Sequence, residues 1–368
     1  MAIKRRKNTQ KSGGARPARS FCFSVAQPEQ LVALRPAFQT ALHAWYRVHR
    51  RQLPWRHAPS LYKTVVSEFM LQQTQVTTVL PYFARWMREL PDFAALAAAP
   101  AAGVMKLWEG LGYYTRARNL HKLAQTYVAA PTKPCTPAEW RELPGIGPYT
   151  AAAITSISFG QPAAVVDGNV VRILARLTGE GRTFRDGTEA VQHFTPLADA
   201  LVVGSGPGEH NQAMMELGAT VCLRQNPLCL LCPVAEFCVA RKRGDQEKLP
   251  RLKPKLVEQR AIARAWCEHR GKLLLRRGHA KARRLAGLHE LPEASDLGVK
   301  PTAKSLLAVK RRAITRFQIT ESIYRIRPTA KLLKRIAKDV ALEWVPLKKL
   351  ESITLSGPHK RWIGELRA

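Results

Sequence analysis

Apolar residues recur three and four positions apart in FQTALHAWYRVHR, at Phe38, Leu42, Trp45 and Tyr46, which predicts a helix that RRQLPWR and Pro54 bring to an end. YKTVVSEFMLQQTQVTTVL repeats the pattern through Val65, Val66, Phe69 and Met70, and again through Val76, Val79 and Leu80. Polar residues from Gln72 to Gln75 interrupt that stripe, so a loop able to probe a partner is expected there. Further helical patterns cover Pro91 to Trp108, Ala117 to Val128, Thr150 to Ser158, Val170 to Leu177 and Gln212 to Val221, joined by Gly/Pro turns. Little period-2 alternation appears before about residue 240, and the first part is expected to be mainly α-helical.

RKRGDQEKLPRLKPK, residues 241–256 with its margin, is charged, proline-punctuated and poor in large apolar residues, and reads as a linker. Beyond it AIARAWCE, KLLLRR, TRFQITESIYRI and ALEWVPL have strand length and β-branched or aromatic content, with one helix-like segment, KLLKRIAKD. The expected plan is a basic disordered arm over 1–28, a helical region over 29–240, the linker, and a smaller α+β domain over 257–368. No repeat of 20–50 residues is visible, which argues against a solenoid.

The length of 368 residues exceeds what one core usually serves, about 250–300 residues, and agrees with more than one domain. The 59 Lys and Arg outnumber the 27 Asp and Glu for a net charge of +32, which favours a polyanionic partner, nucleic acid first. No run approaches the roughly 18 to 20 apolar residues of a membrane span. The start, MAIKRRKNTQKSGGARPARS, lacks the apolar segment of a secretory signal, so a cytoplasmic, nucleoid-associated protein is expected.

Four of the seven cysteines, Cys222, Cys229, Cys232 and Cys238, are spaced C-x6-C-x2-C-x5-C. Four thiolates so close in sequence suit either a [4Fe-4S] cluster or structural zinc. A single C-x2-C, where zinc ribbons use two, favours iron and sulfur in a cluster loop over 222–238 that serves as a structural staple. In LPGIGPYTA, Gly145 and Gly147 precede an apolar helical run, a corner whose exposed N–H groups and positive helix end suit a phosphate oxygen without reading sequence.

About twenty residues later AVVDGNVVRIL carries Asp167 ahead of a helix. Together these features resemble the helix-hairpin-helix DNA glycosylase superfamily, in its iron-sulfur branch. LPWR, SEFMLQQTQV, EGLGYYTRARNL and NQAMMELGATVC make the chain similar to the MutY-type adenine DNA glycosylases within it. The resemblance spans residues 38–238 and implies double-stranded DNA with a mispair as partner, adenine opposite 8-oxoguanine or guanine as target, a monomer, and transient contacts with other repair proteins.

Bifunctional relatives resembling endonuclease III have a lysine where this chain has Tyr149; without that amine no Schiff base forms, so a monofunctional enzyme that leaves an abasic site is expected. Glu68, among Val66, Phe69 and Met70, is expected to be buried and so able to give a proton to the leaving adenine. Asp167 is expected to face the sugar, with Tyr149 and Asn169 positioning both. The resemblance assigns Gln72 and Tyr113 as wedges for a flipped base, with Gln73 and Thr74 beside them, and Trp55, Arg56 and Glu216 as contacts of the base. The carboxyl-terminal segment resembles the Nudix-like domain of that family without its glutamate-rich box, so no Mg²⁺ chemistry is expected there. Ile314, Thr315 and Arg316 stand where the family has a Phe-Ser/Thr-His run, and Thr315 and Arg316 are the candidates for reading the opposite base. The competing expectations are a glycosylase for thymine or uracil opposite guanine, and a noncatalytic DNA-binding protein.

Overall fold

The computed structural model describes residues 28–367 apart from 205, 255, 280–286 and 315, so the basic arm and Thr315 lie outside the described residues. Helices dominate the first part. α1 (Pro28–Ala33) and α2 (Arg35–His49) lead into α3 (Leu61–Leu71), α4 (Val76–Glu89), α5 (Phe93–Ala98), α6 (Ala101–Leu107), α7 (Thr115–Ala129) and α8 (Pro137–Arg141). Then follow α9 (Pro148–Phe159), α10 (Gly168–Thr178), α11 (Gly187–Val202), α12 (Pro207–Thr220) and α13 (Val239–Arg243), with β1 (Thr183–Phe184) between α10 and α11.

Local chemistry sets the starts that matter. The Ser60 side chain caps α3 by accepting from Lys63 N, Thr136 and Glu139 form a reciprocal capping box on α8, and Asp167 caps α10. The stretch 91–108, expected as one helical pattern, is two helices, because Pro100 stands at the cap of α6 in an extended conformation. The sequence reading passed over α11, although Ala190, Phe194, Leu197, Ala198 and Leu201 form its buried stripe; Pro196 inside it disguises the run.

The helices make two lobes. In one, α2, α10, α11 and α12 pack around Phe38, Leu42, Leu174, Phe194 and Leu217. In the other, α3 to α9 pack around Val65, Phe69, Trp86, Trp108, Leu120 and Trp140. The chain starts in the first lobe, builds the second, and returns, so the lobes meet along a seam crossed by α9 and α12. Residues 241–256 are less free than a linker: Leu249 is buried in the first lobe, and β2 (Arg251–Leu252) pairs in parallel with β1.

From β3 (Glu258–Trp266) onward the chain is α+β, with β4 (Glu268–His269), β5 (Lys272–Arg277), β6 (His289–Glu290), β7 (Leu306–Ile314), β8 (Phe317–Arg325), α14 (Ala330–Ile336), β9 (Leu342–Pro346) and α15 (Gly357–Arg367). β8 runs between a parallel β3 and an antiparallel β7. β5 pairs antiparallel with β4, β6 and β9. The sequence reading did not separate β7 or foresee α15.

At Gly208 of α12 the backbones approach closely across the seam, where a Cβ would stand 2.6 Å from the Ser156 carbonyl oxygen and 2.8 Å from Ile157 Cα. Both neighbours are backbone and cannot rotate away. Gly208→Ala is therefore expected to cost about 1–3 kcal/mol through overpacking, read as a lower urea midpoint with an unchanged slope.

Candidate active site at the seam of two helical lobes

A cavity of about 210 Å³ opens at the seam. It is smaller than the roughly 300 Å³ at which drug-sized pockets begin, a size for one ring system rather than a whole nucleotide. Its wall includes Glu68 and Ser67 of α3, Tyr149 at the start of α9, Asp167 and Asn169 at the start of α10, and Met215 and Glu216 of α12. Arg51, Trp55 and Arg56 from the turn between α2 and α3 complete it, with Thr74 at its edge. Residues from both lobes are thus required.

Glu68 is buried, at 7% exposure. Loss of water pushes its carboxyl up to about 7, and the nearby Asp167 adds to that, against a hydrogen bond from Tyr149 and the charge of Arg56. Tyr149 is itself held well above the ordinary phenol range, first by burial and then by the two carboxylates, so it stays a neutral donor. Its hydroxyl also lies 3.3 Å from Met215 Sδ.

Asp167 meets N–H donors. Its Oδ1 accepts from Asn169 N and Val170 N, each at 2.8 Å, and its Oδ2 accepts from Asn169 Nδ2 at 3.0 Å. The Asn169 amide is held in that orientation because Arg172 Nη2 donates to its Oδ1 at 2.9 Å.

Glu216 is fully buried and is treated in the opposite way to Glu68. Burial would raise its carboxyl, but bonds from Arg51 and Arg56 hold it below the usual range. Arg51 N, Nε and Nη2 donate at 2.9, 2.7 and 2.9 Å, and Arg56 Nη2 at 2.9 Å. Arg56 and Glu216, singled out from the sequence as contacts of a base, are here paired with each other on the cavity wall. Arg51 went unremarked, since RRQLPWR reads from sequence only as a basic helix stop.

The wedge candidates stand outside the cavity. Gln72 ends α3 and donates to Thr150 Oγ1 at 3.3 Å. Gln73 and Tyr113 adopt φ of +56° and +47°, a left-handed conformation unusual for non-glycine residues, and Tyr113 is half exposed. One residue the sequence reading missed ties these loops together. Arg116 donates to the carbonyls of Phe69, Met70 and Gln72 and to Thr74 Oγ1 on one side, and to the carbonyls of Leu111 and Gly112 on the other, while stacking on Tyr113. In the sequence it stands two residues before Arg118 in a helix that also carries His121 and Lys122, so nothing local distinguishes it.

In the hairpin, Gly145 has φ of +81° and a Cβ there would lie 2.6 Å from Asn119 Cβ, while Gly147 caps α9 with open space beside it. Arg316 sits at the β7–β8 turn, exposed and paired with Glu258 at 2.7 Å, and does not line the cavity. Cys222, Cys229, Cys232 and Cys238 line a separate small cavity of about 30 Å³, with Arg176 donating to Cys222 Sγ at 3.2 Å. Burial pushes the Cys232 thiol up to about 12. Among the described residues no three His, Cys, Asp or Glu side chains close around a single metal ion, and the four sulfurs stand instead around one shared cavity.

Residues 66–194 match the family model of the HhH-GPD superfamily base excision DNA repair proteins. The resemblance to the adenine DNA glycosylases also holds. The chain is 45% identical over 229 residues to the adenine DNA glycosylase of Homo sapiens, covering 59% of this chain and 42% of that protein. It is 36% identical over 207 residues to that of Buchnera aphidicola subsp. Baizongia pistaciae, covering 55% of this chain and 57% of the relative. The chain thus spans about half the length of these relatives. Among solved structures, a thermostable thymine-DNA glycosylase superposes with a TM-score of 0.50 at 25% identity, covering 57% of this chain and 98% of that one.

A carboxyl raised in the folded state binds its proton more tightly than in the unfolded chain, so Glu68 contributes stability that is complete below pH 4.5 and is lost as pH rises through about 7. Glu68→Gln cannot ionise and is expected to be more stable than the parent at pH 8 by about 3 kcal/mol, with the difference vanishing at pH 4; thermal melts at both pH values measure it.

Proposed function

We propose that the chain is a monofunctional DNA glycosylase that removes adenine mispaired with 8-oxoguanine or guanine. The observation that carries this reading is the pair Glu68 and Asp167 on one cavity, the first holding a proton near neutral pH and the second an acceptor fixed by three N–H groups. Breaking an N-glycosidic bond needs a neutral leaving base and a stabilised sugar cation, and two carboxyl groups in unlike environments divide that work.

The adenine is flipped into the cavity and its stack is filled from the Gln72–Gln73 loop or by Tyr113. Glu68 passes its proton to a ring nitrogen of the base, the C–N bond opens, and Asp167 faces the positive charge on the sugar. Water adds to the sugar carbon and its proton returns to Glu68. Tyr149 holds Glu68 and carries no amine, so the product is an abasic site.

The hairpin amides around Gly145 and Gly147 suit a DNA phosphate, and the net charge of +32 supplies the wider attraction. Cys222, Cys229, Cys232 and Cys238 would hold a [4Fe-4S] cluster: four sulfurs around one cavity, with no partner in a disulfide, are the donor set that group takes. When bound, the group would supply a fold-stabilising crosslink beside the cationic helix α13. The β-rich part is read as a Nudix-like unit inspecting the opposite base through Arg316, with Thr315 before it in the sequence. A thymine- or uracil-removing enzyme is the second reading, favoured by the superposition on the thymine-DNA glycosylase structure; identity to adenine enzymes is higher, at 45%.

Incubation with duplexes holding A opposite 8-oxoguanine, A opposite G, or T opposite G, followed by alkali, tests both readings. Strand cleavage at adenine only is expected, at a single-turnover rate that falls as pH rises through about 7, with no adduct trapped by borohydride. Cleavage at thymine alone would replace this reading by the second.

A further inference from the structure

Glu109 stands between the helical region and the β-rich part, next to the loop that carries Tyr113. Its carboxyl is almost fully buried yet receives donors from both sides. Lys106 Nζ of the helical region lies 2.8 Å and Lys360 Nζ of α15 2.5 Å from Oε2, and the backbone N–H of Leu355 donates to Oε1 at 2.8 Å. Two further bonds seat the same segment: the Tyr114 hydroxyl donates to the Leu355 carbonyl at 2.9 Å, and Lys106 Nζ to the Ile353 carbonyl at 2.8 Å. Both backbone groups of Leu355 are therefore held by residues that flank Gly110 to Tyr113.

That enclosed loop is under constraint. Gly110, Gly112 and Tyr113 all have positive φ, of +110°, +71° and +47°, and a Cβ on Gly110 would overlap the Tyr82 hydroxyl at 2.0 Å. The two glycines take positive φ freely, but Tyr113 does not, and a non-glycine residue keeps that conformation only when the surrounding structure fixes it. On the far side Arg116 fixes it to the Gln72–Thr74 loop. On the near side the fixing group is Glu109, bound to the β-rich part.

We propose that Glu109 is a positioning residue through which the β-rich part sets the Tyr113 loop: docking of residues 353–357 and Lys360 onto the Glu109 carboxylate holds the exposed tyrosine in its left-handed conformation and so couples that part to the step at which a base leaves the stack. The proposal rests on the glycosylase reading for its effect on catalysis, but not for the contact itself.

The test uses the full chain and two readouts. Hydrogen exchange of free protein is expected to quicken on the order of tenfold at Leu355 and across residues 110–113 in Glu109→Ala, and also in Lys360→Met, a milder change at an exposed lysine. Single-turnover excision is expected to fall on the order of tenfold in Glu109→Ala, less in Glu109→Gln, which keeps an acceptor for Leu355 N. In a Tyr113→Ala background Glu109→Ala is expected to add no further loss, since a residue acting through the tyrosine has nothing left to position. An equal loss in both backgrounds, or unchanged exchange across 110–113 in Lys360→Met and Glu109→Ala, overturns the proposal. If the parent protein releases no base, the glycosylase reading fails, and the exchange data alone decide the coupling.

Discussion

Burial of the Glu68 carboxyl at the seam of the two helical lobes is the constraint on which the rest of the site depends. A buried carboxyl survives either by pairing with a cation or by keeping its proton. Arg56 is close enough to Glu68 to lower it, and could by itself have turned it into an ordinary ion pair. Glu216 prevents that by accepting from Arg56 and Arg51 together, leaving Glu68 a phenol as its hydrogen-bond partner. Two glutamates on one wall thus take different protonation behaviour from their neighbours alone, and the one beside the phenol is the one able to act as an acid near neutral pH.

The path of the chain makes this possible. Because the chain begins in one lobe, builds the other and comes back, the starts of α9 and α10 face the same cavity as the middle of α3. Both starts owe their place to local chemistry: Gly147 and Pro148 open α9, and the Asp167 side chain opens α10. Asp167 therefore does a structural task and faces the cavity with the same side chain. Its Oδ1 is spent on the helix start, and Oδ2 accepts from Asn169, held in turn by Arg172.

Much of this was legible in the sequence, and for identifiable reasons. Helical periodicity located α2, α3, α7, α10 and α12 through apolar residues at helical spacing, whereas α9 is buried along every residue from Thr150 to Ser156 and was marked instead by the glycine and proline ahead of it. Glu68 was conspicuous because a carboxylate among Val66, Phe69 and Met70 has no business on an apolar face unless its burial is used. Pairings were not legible. That Arg56 and Glu216 would be bound to each other depends on α12 returning beside the turn before α3, a separation of 160 residues. Arg116 and Glu109 carry no local signal, because what each does is to join loops that only the fold brings together. α11 was missed for a different reason: its stripe was present, but Pro196 inside it looked like a break.

The distribution of charge completes the argument. The chain carries +32, yet the cavity itself has two arginines facing two carboxylates whenever Glu68 holds its proton, and so is neutral. That distribution draws anions to the outside of the molecule and suits a neutral group inside. An anion brought to the rim carries negative charge toward Glu68, and a like charge nearby disfavours the carboxylate. A polyanion held there therefore pushes Glu68 further toward the protonated form, the form in which it can donate.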